Sequence, residues 1–470
     1  MTDLIKLYTD EQDKLKKYQE KDPGLVTPQR NFSYQEILSY IGINVDFGFL
    51  PQGYLNFYHQ DFIVEEVDSK GEAITIEPGS LDLVTAKPGD KTLYAQMVKV
   101  GLSTLEAREN LAQALGVPVK QINYGGIKDK VAITSQQISL RGINPEKGEE
   151  IVKGLKVSGL YLKNLSWGKG IIEKGKIRGN RFIITVRTPS TLGQGWLDQA
   201  LDRVKDGFNN FYYLQRFGSP RLLSHTLGKL ILQQEYEAVV KTFLTSTGVQ
   251  DVPLLSRIRE QAVNDFGNWQ KLEELFSELP YTFRLELGLI RYLAKKPDDY
   301  LGALKSIEDQ TTLWVYAYAS YLFNLHLSSS VTKGETLVAE LPLLLNPQHT
   351  AIKTYAQKLS EDNILDLKKS AQAFFGRDVL HQKNVCLTKV PVKVINTKII
   401  EKGVVIAFEL PVGAYATTFL THLFSLYRGL PIPEWLDKTK HDGKKILNLG
   451  SVAPVEEVLG EYIFSQDKGQ

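Results

Sequence analysis

The hydrophobic periodicity of this sequence predicts an α+β fold, a mainly antiparallel sheet interrupted by a largely helical insertion. Three observations carry this expectation. Short alternating or continuous apolar runs rich in β-branched and aromatic residues fill much of residues 55–190. From about 196 to about 375 the apolar residues recur at helical spacing, as in "WLDQALDRVKDGFNNFYYLQRF" and "TTLWVYAYASYLFNLHLSS". Strand-like sequence then returns in "NVCLTKVPVKVINTKIIEKGVVIAFELP", which is expected to complete the sheet begun earlier. The predicted organisation is an N-terminal helical extension at 1–45, a discontinuous sheet domain at 46–190 and 380–470, and a helical insertion at 191–379. A chain of 470 residues suits two domains, one interrupting the other.

The elements follow in order. "MTDLIKLYTDEQDKLKKYQEKDPG" is dense in both signs of charge and reads as a short surface helix, with no apolar stretch of a secretory signal. "YLNFYHQDFIVEEVDSKG" and "KTLYAQMVKVG" read as strands. "STLEARENLAQALGVP" reads as a helix capped by Ser103, with Glu106 reaching back in a capping box. Its apolar stripe is Leu111, Ala114 and Leu115, and Gly116 with Pro118 ends it. Strands are expected at 121–124, 131–140, 160–166 and 180–187, and "YATTFLTHLFSLYRG" reads as a final helix.

Fifty-six Lys plus Arg against 54 Asp plus Glu leave a net charge of +2, so any polyanion site must come from local clustering. One cluster runs from Lys163 to Arg187, with Lys169, Lys174, Lys176, Arg178 and Arg181 between them and Glu173 the one acidic residue. Trp167 and Phe182 interleave with these charges, a pattern that suits a polyanion offering bases to stack on, or else a solvated face. Cys386 is the single cysteine and the seven histidines are scattered. His225, His326 and His422 fall in apolar helical patterns and read as half-buried side chains, so no metal and no cofactor is expected. No apolar run is long enough to span a bilayer, and a cytoplasmic monomer is the default expectation.

The stretch that asks for chemistry is "NYGGIKDKVAITSQQ", residues 123–137. After Gly125-Gly126 the loop is free to be tight and to approach a ligand closely. Lys128-Asp129 then has two readings: a polar hairpin corner, or a carboxylate presented to a substrate. It is no phosphate-binding glycine loop, which needs a second glycine followed by Lys-Ser or Lys-Thr. Nor does it hold the paired carboxylates of a glycosidase.

"GGIKDKVAITSQQ" resembles the signature of the TruD family of pseudouridine synthases, G-x-K-D-x-x-A-x-T-x-Q, with Gly126, Lys128, Asp129, Ala132, Thr134 and Gln136 in register. "HQDFIVEE" is similar to the family's P-E-D-F-x-V-x-E strand, "KIRGNRFIITVR" to its L-x-G-N-x-F segment, and "NNFYYLQRFG" followed by "SHTLGKLI" to N-Y-F-G-x-Q-R-F-G followed by H-x-x-G. "SYLFN" and "LPVGAYATTFL" match later blocks in order, so the resemblance runs from about 55 to about 425.

The resemblance implies a pseudouridine synthase catalytic domain interrupted by a TRUD insertion domain, with a tRNA uridine, at position 13, as substrate. It implies that Asp129 is the nucleophile, that Asn180 hydrogen-bonds near it, and that Phe182 stacks on the target base. On local grounds alone Asn180 and Phe182 are an alternating strand with Phe182 in the core. Lys128 is expected to meet a phosphate, tune Asp129, or lie solvated. Arg178 lies in the basic run, and Arg216 and Arg221 are candidates for phosphate contacts, Arg216 alternatively for holding the domains together. Trp314, Tyr318, Tyr321 and Leu322 read as helix core.

Four places depart from the family pattern. Asn56 stands where a basic residue is usual, and His59-Gln60 replace Pro-Glu. Tyr213 replaces a glycine, and Thr421-His422 replace Arg-Glu. The expectation is a divergent active enzyme, the alternative a weakened RNA-binding or RNA-folding protein on the same scaffold.

Overall fold

The computed structural model describes residues 2–460 apart from 30–31, 83–84, 147, 345–348 and 377–384. Its internal contacts divide the chain into two units, one of Met1–Phe47 with Asn209–Lys389 and one of Gly48–Phe208 with the chain from Val390. The sequence-based boundaries were 45/46, 190/191 and 379/380, the last of which lies outside the described residues.

The sheet unit is built on ten strands. These are β1 (Gln52–Tyr54), β2 (Phe62–Val67), β3 (Thr92–Val100), β4 (Ile122–Tyr124), β5 (Ile133–Arg141), β6 (Leu160–Gly168), β7 (Gly179–Arg187), β8 (Lys393–Ile400), β9 (Gly403–Pro411) and β10 (Ser425–Tyr427). The main path is β8-β9-β7-β2-β5-β3-β6; β4 pairs with β5, and β1 with β7 and β10. β2–β5 and β1–β10 are parallel and the other pairings antiparallel, so the sheet is mainly antiparallel as expected.

Alternation sends each strand's side chains to two cores. Phe62, Val64, Phe182, Ile184, Ile406 and Phe408 pack on one side with Phe419, Leu420 and Phe424. Ile63, Ile133, Ile183, Val405 and Ala407 pack on the other with Val452, Val455 and Leu459. Because both faces are covered, all six residues of β2 are buried, including Glu65 and Glu66.

The helix Thr104–Leu115 carries the expected capping box between Ser103 and Glu106, and Gly116 ends it in the left-handed conformation. Its buried face is Thr104, Ala107, Leu111 and Ala112. Ala114, placed in the stripe by sequence, is exposed, because the contact face turns toward the i−4 and i+1 neighbours of Leu111. "YATTFLTHLFSLYRG" is also not one helix. The helix stops at Thr421, and Ser425–Tyr427 is drawn into β10, where the Ser425 N–H donates to Pro51 O at 3.0 Å. Strand pairing here overrides helical periodicity. Likewise Val385–Leu387 pairs with Glu340–Pro342 in the helical unit, and only β8 and β9 of that stretch join the large sheet.

In the helical unit the N-terminal helix Thr2–Lys21 is more than a surface helix. Leu15 and Tyr18 pack against the core, and Glu11, 3% exposed, accepts from the Tyr281 and Thr282 N–H groups at 2.7 and 3.0 Å. The helices Ser224–Leu232 and Glu308–Thr332 approach so closely that a Cβ on Gly228 would lie 2.0 Å from the Trp314 carbonyl oxygen. Trp314, Tyr318 and Leu322 are core, and Tyr321 stacks on His225 at 4.7 Å. Burial pushes the His225 imidazole down to about 4, so it is neutral at pH 7. Asn324, fully buried, donates to Ile41 O and Tyr212 O and accepts from Tyr212 N–H. The family-like "SHTLGKLI" and "SYLFN" blocks therefore have packing roles. No helix among the described residues is long and apolar enough to cross a membrane.

In the sheet unit, Asp61 of "HQDF" is explained by Arg187. The pair is buried and bidentate, Nε–Oδ2 2.9 Å and Nη2–Oδ1 2.7 Å, and Arg187 Nη1 also donates to Asp437 O and Thr439 O. Removing one member of a buried pair strands the other charge, at about 3 to 5 kcal/mol. Asp61→Asn is expected to destabilise the sheet unit by about that amount, read as a shift of its urea unfolding transition; a shift near zero would mean that solvent replaces the lost charge.

Candidate active site

The loop Gly125–Val131 is fixed at almost every residue. Gly125 O accepts from Gly175 N–H at 2.8 Å, and Gly126 O from Gln136 Nε2 at 3.0 Å. Lys128 N–H donates to the Thr104 hydroxyl at 2.9 Å. Asp129 O accepts from Lys99 Nζ at 2.7 Å, and Val131 O from Asn56 Nδ2 at 2.8 Å. Of the two glycines, Gly125 serves this loop by its small size. Neither has a positive φ, but a Cβ on Gly125 would lie 2.6 Å from Ile177 Cγ2. The anticipated backbone freedom is thus replaced by a need for close approach.

Held this way, the Asp129 side chain faces outward, as does that of Lys130, whereas Lys128 is turned inward. Asp129 reaches solvent, yet it stands deep enough among protein atoms that the charged form is disfavoured and its carboxyl pKa lies above the ordinary aspartate value. Lys99, Arg428 and Lys128 oppose that rise, Lys99 most strongly.

Lys99 is the residue that sequence reading missed. It is completely buried on β3, and burial pushes its ammonium down to about 7. Its Nζ also donates to Leu102 O at 2.6 Å. The available signal was a lysine inside the apolar run "MVKV". Glu66 was missed in the same way.

Lys128 does not reach toward a phosphate. It is 4% exposed, and its Nζ lies 2.8 Å from Glu66 Oε2 and 2.7 Å from Asn180 Oδ1. A buried lysine needs such oxygens around it, and β2 and β7 supply them. Asn180 is accordingly bonded to Lys128, the chain neighbour of the candidate aspartate. Phe182 is 4% exposed, stacked on Phe408 at 5.3 Å and edge-on to Phe62 at 6.2 Å. No face of its ring is open to a base, so the structure puts it in the core beneath the site.

The basic run divides in two. Lys163 is buried, donating to Thr75 O and Glu77 O; Arg187 is buried on Asp61; Arg181 pairs with Glu409 at 2.9 Å. Burial of the sheet's carboxylates and carbonyls claims these three. Lys169, Lys174, Lys176 and Arg178 stay on the surface, Lys174 over the Tyr124 ring at 5.5 Å and Lys176 beside exposed Glu173 at 2.8 Å. Arg216 belongs to the helical unit, with its guanidinium over Tyr212 at 5.3 Å. Arg221, in the same unit, donates to Phe243 O and Ser246 O and is not available for a phosphate.

The architecture has a solved counterpart. The crystal structure of a putative tRNA pseudouridine synthase D from Methanosarcina mazei superposes with a TM-score of 0.64 at 22% identity, over 83% of this chain and 98% of that one, a likeness of fold. In sequence, residues 51–375 match the family model described as tRNA pseudouridine synthase D (TruD). A probable tRNA pseudouridine synthase D of Methanopyrus kandleri is 28% identical over 358 residues, 71% of this chain and 86% of the relative. The tRNA pseudouridine synthase D of Aquifex aeolicus is 30% identical over 242 residues, 51% of this chain and 60% of the relative. The chain belongs to the TruD family of tRNA pseudouridine synthases.

The Lys99 ammonium beneath Asp129 lowers the carboxyl pKa, so its removal must raise it. Lys99→Met is expected to move the Asp129 carboxyl titration to higher pH, followed by carbon-13 NMR of the side chain. An unmoved midpoint would reduce Lys99 to a structural donor.

Proposed function

We propose that this chain isomerises a uridine in tRNA to pseudouridine, with Asp129 as the reacting carboxylate. The observation that carries the reading is the outward-facing Asp129 on a loop pinned at its carbonyls and amides by Gln136, Thr104, Lys99 and Asn56. Such fixation removes the reorganisation a mobile carboxylate would need on meeting the substrate.

The chemistry suits one carboxylate. The C1′–N1 bond of uridine breaks, the uracil turns while still bound, and C1′ bonds to C5. The proton on C5 is released to solvent and N1 takes one up, so no water is consumed and no electrons are exchanged. As C1′ loses its base the sugar becomes cationic or glycal-like. An ionised carboxylate meets that species by bonding to C1′ or by taking a sugar proton. Both routes start from charged Asp129, so activity falls on acidification as the carboxyl protonates, at a pH above the ordinary aspartate range.

Asn180, Lys128 and Phe182 act through the fold in this reading. Phe182 anchors β7 in the core, β7 presents Asn180, and Asn180 with Glu66 holds Lys128 next to Asp129. The uridine must leave its helical stack to meet Asp129. The uridine at position 13 is the substrate that membership of the family suggests. Lys174, Lys176 and Arg178 are proposed to meet the tRNA backbone, and Arg216 to do so from the helical unit.

Two outcomes are expected. Wild type releases tritium from tRNA labelled at uridine C5, and Asp129→Asn loses that release by at least about a thousandfold, the scale of removing a reacting group. Equal release by both would remove Asp129 from the chemistry, and tRNA binding without release by wild type would point to the non-catalytic reading. Charge reversal at Lys174, Lys176 and Arg178 is expected to weaken tRNA binding and flatten its salt dependence. An unaltered slope of log affinity against log salt would take these three away from the phosphates.

A further inference from the structure

Asn56 brings no charge to the place where the family usually carries a basic residue. Its side chain is committed elsewhere, with Nδ2 on Val131 O, while its Oδ1 is buried without a hydrogen-bond partner. Its backbone is left-handed, φ +58°, a conformation that asparagine tolerates better than most residues. Asn56 thus ties down the end of the loop and leaves the charge to another residue.

The neighbouring strand supplies a candidate. β10 runs parallel to β1 with Tyr54 opposite Tyr427. The ladder continues one step further, where Leu55 N–H donates to Tyr427 O at 2.9 Å, and Tyr54 OH reaches Gly429 O at 2.9 Å. Arg428 therefore comes off the end of β10 alongside the Leu55-Asn56 step. It is exposed and forms no ion pair or hydrogen bond among the described residues.

We propose that Arg428 is the positioning residue that supports the Asp129 carboxylate, supplying from β10 the positive charge absent at Asn56. The proposal rests on the reading of Asp129 as the reacting group. Arg428 is near enough to favour the ionised carboxylate, acting against the effect of burial. The other charges around Asp129 are already engaged. Lys99 is buried on two carbonyls, Lys128 on Glu66 and Asn180, and Lys130 on Glu106 at 2.9 Å. His59 lies against Gly101 beyond Lys99. Among the described charges around Asp129, Arg428 alone is both uncommitted and open to solvent, so it can follow Asp129 as the substrate enters.

The test is a set of four proteins: wild type, Arg428→Gln, Arg428→Lys, and Asn56→Lys combined with Arg428→Gln. Arg428→Gln is expected to shift the acid limb of kcat upward by about one pH unit, the low end for losing a nearby opposite charge, with KM nearly unchanged. Arg428→Lys should keep the wild-type limb, and restoring a lysine at 56 should return most of the shift. A change confined to KM and its salt dependence would make Arg428 a phosphate contact and overturn the proposal, as would a shift that neither lysine variant reverses. Carbon-13 titration of Asp129 in wild type and Arg428→Gln needs no turnover. A raised midpoint in a protein that makes no pseudouridine would sustain the pairing and refute the catalytic reading. An unmoved midpoint in an active enzyme would do the reverse.

Discussion

A charged amine with no access to water must find oxygens, and the site is organised around where Lys99 finds them. Its two acceptors are the carbonyls of Leu102, just ahead of the helix Thr104–Leu115, and of Asp129. One side chain thereby ties β3, the entry to that helix and the Gly125–Val131 loop together. Thr104, the helix's first residue, takes the Lys128 N–H, and Gln136 of β5 takes the Thr104 hydroxyl at 3.2 Å while holding Gly126 O. Each of these contacts orients backbone, so the loop cannot relax without breaking several at once. Desolvation makes the Lys99 ammonium costly and lowers its pKa to about 7, while the same low dielectric strengthens the attraction of its charged form for Asp129.

The same principle recurs through the sheet. β2 is covered on both faces, so its two glutamates cannot reach water and must be met by cations. Glu65 is met by buried Lys444, which also touches Glu77, and Glu66 by Lys128. Arg187 and Asp61 repeat the arrangement at the other end of β7. A sheet this dry holds its charges as pairs or, for Lys99 and Lys163, against backbone carbonyls. Asp129 and Arg428, by contrast, are both exposed.

Much of this was legible in the sequence, for physical reasons that differ by element. The alternating and continuous apolar runs marked eight of the ten strands, β8 and β9 as one stretch, and missed the short β1 and β10, because burial selects side chains by periodicity over several residues. The Ser103–Glu106 capping box was readable because both partners are three residues apart. β10 was not readable, since its partner strand lies about 370 residues away and its local pattern is helical. Arg428 was hidden with it. Lys99, Glu66 and Lys128 looked like ordinary charges because sequence does not say which strand is covered on both faces. The basic run overstated the surface patch for the same reason: Lys163, Arg181 and Arg187 face carboxylates and carbonyls. Phe182, read as a base-stacking ring through resemblance, follows the simple alternation rule and lies in the core.

The long span between β7 and β9 bears on how the chain is made. β9 pairs along the whole of β7, from Gly403 opposite Arg187 to Pro411 opposite Gly179. Roughly 200 residues separate them, and at about 5–20 residues per second a ribosome needs roughly 10 to 40 s to deliver the second strand after the first. Throughout that interval one edge of β7, apolar from Phe182 to Val186 except at Thr185, lacks its partner and is a template for pairing with another chain. On a nascent chain that edge of β7 therefore stays without its partner until β9, Gly403–Pro411, has emerged.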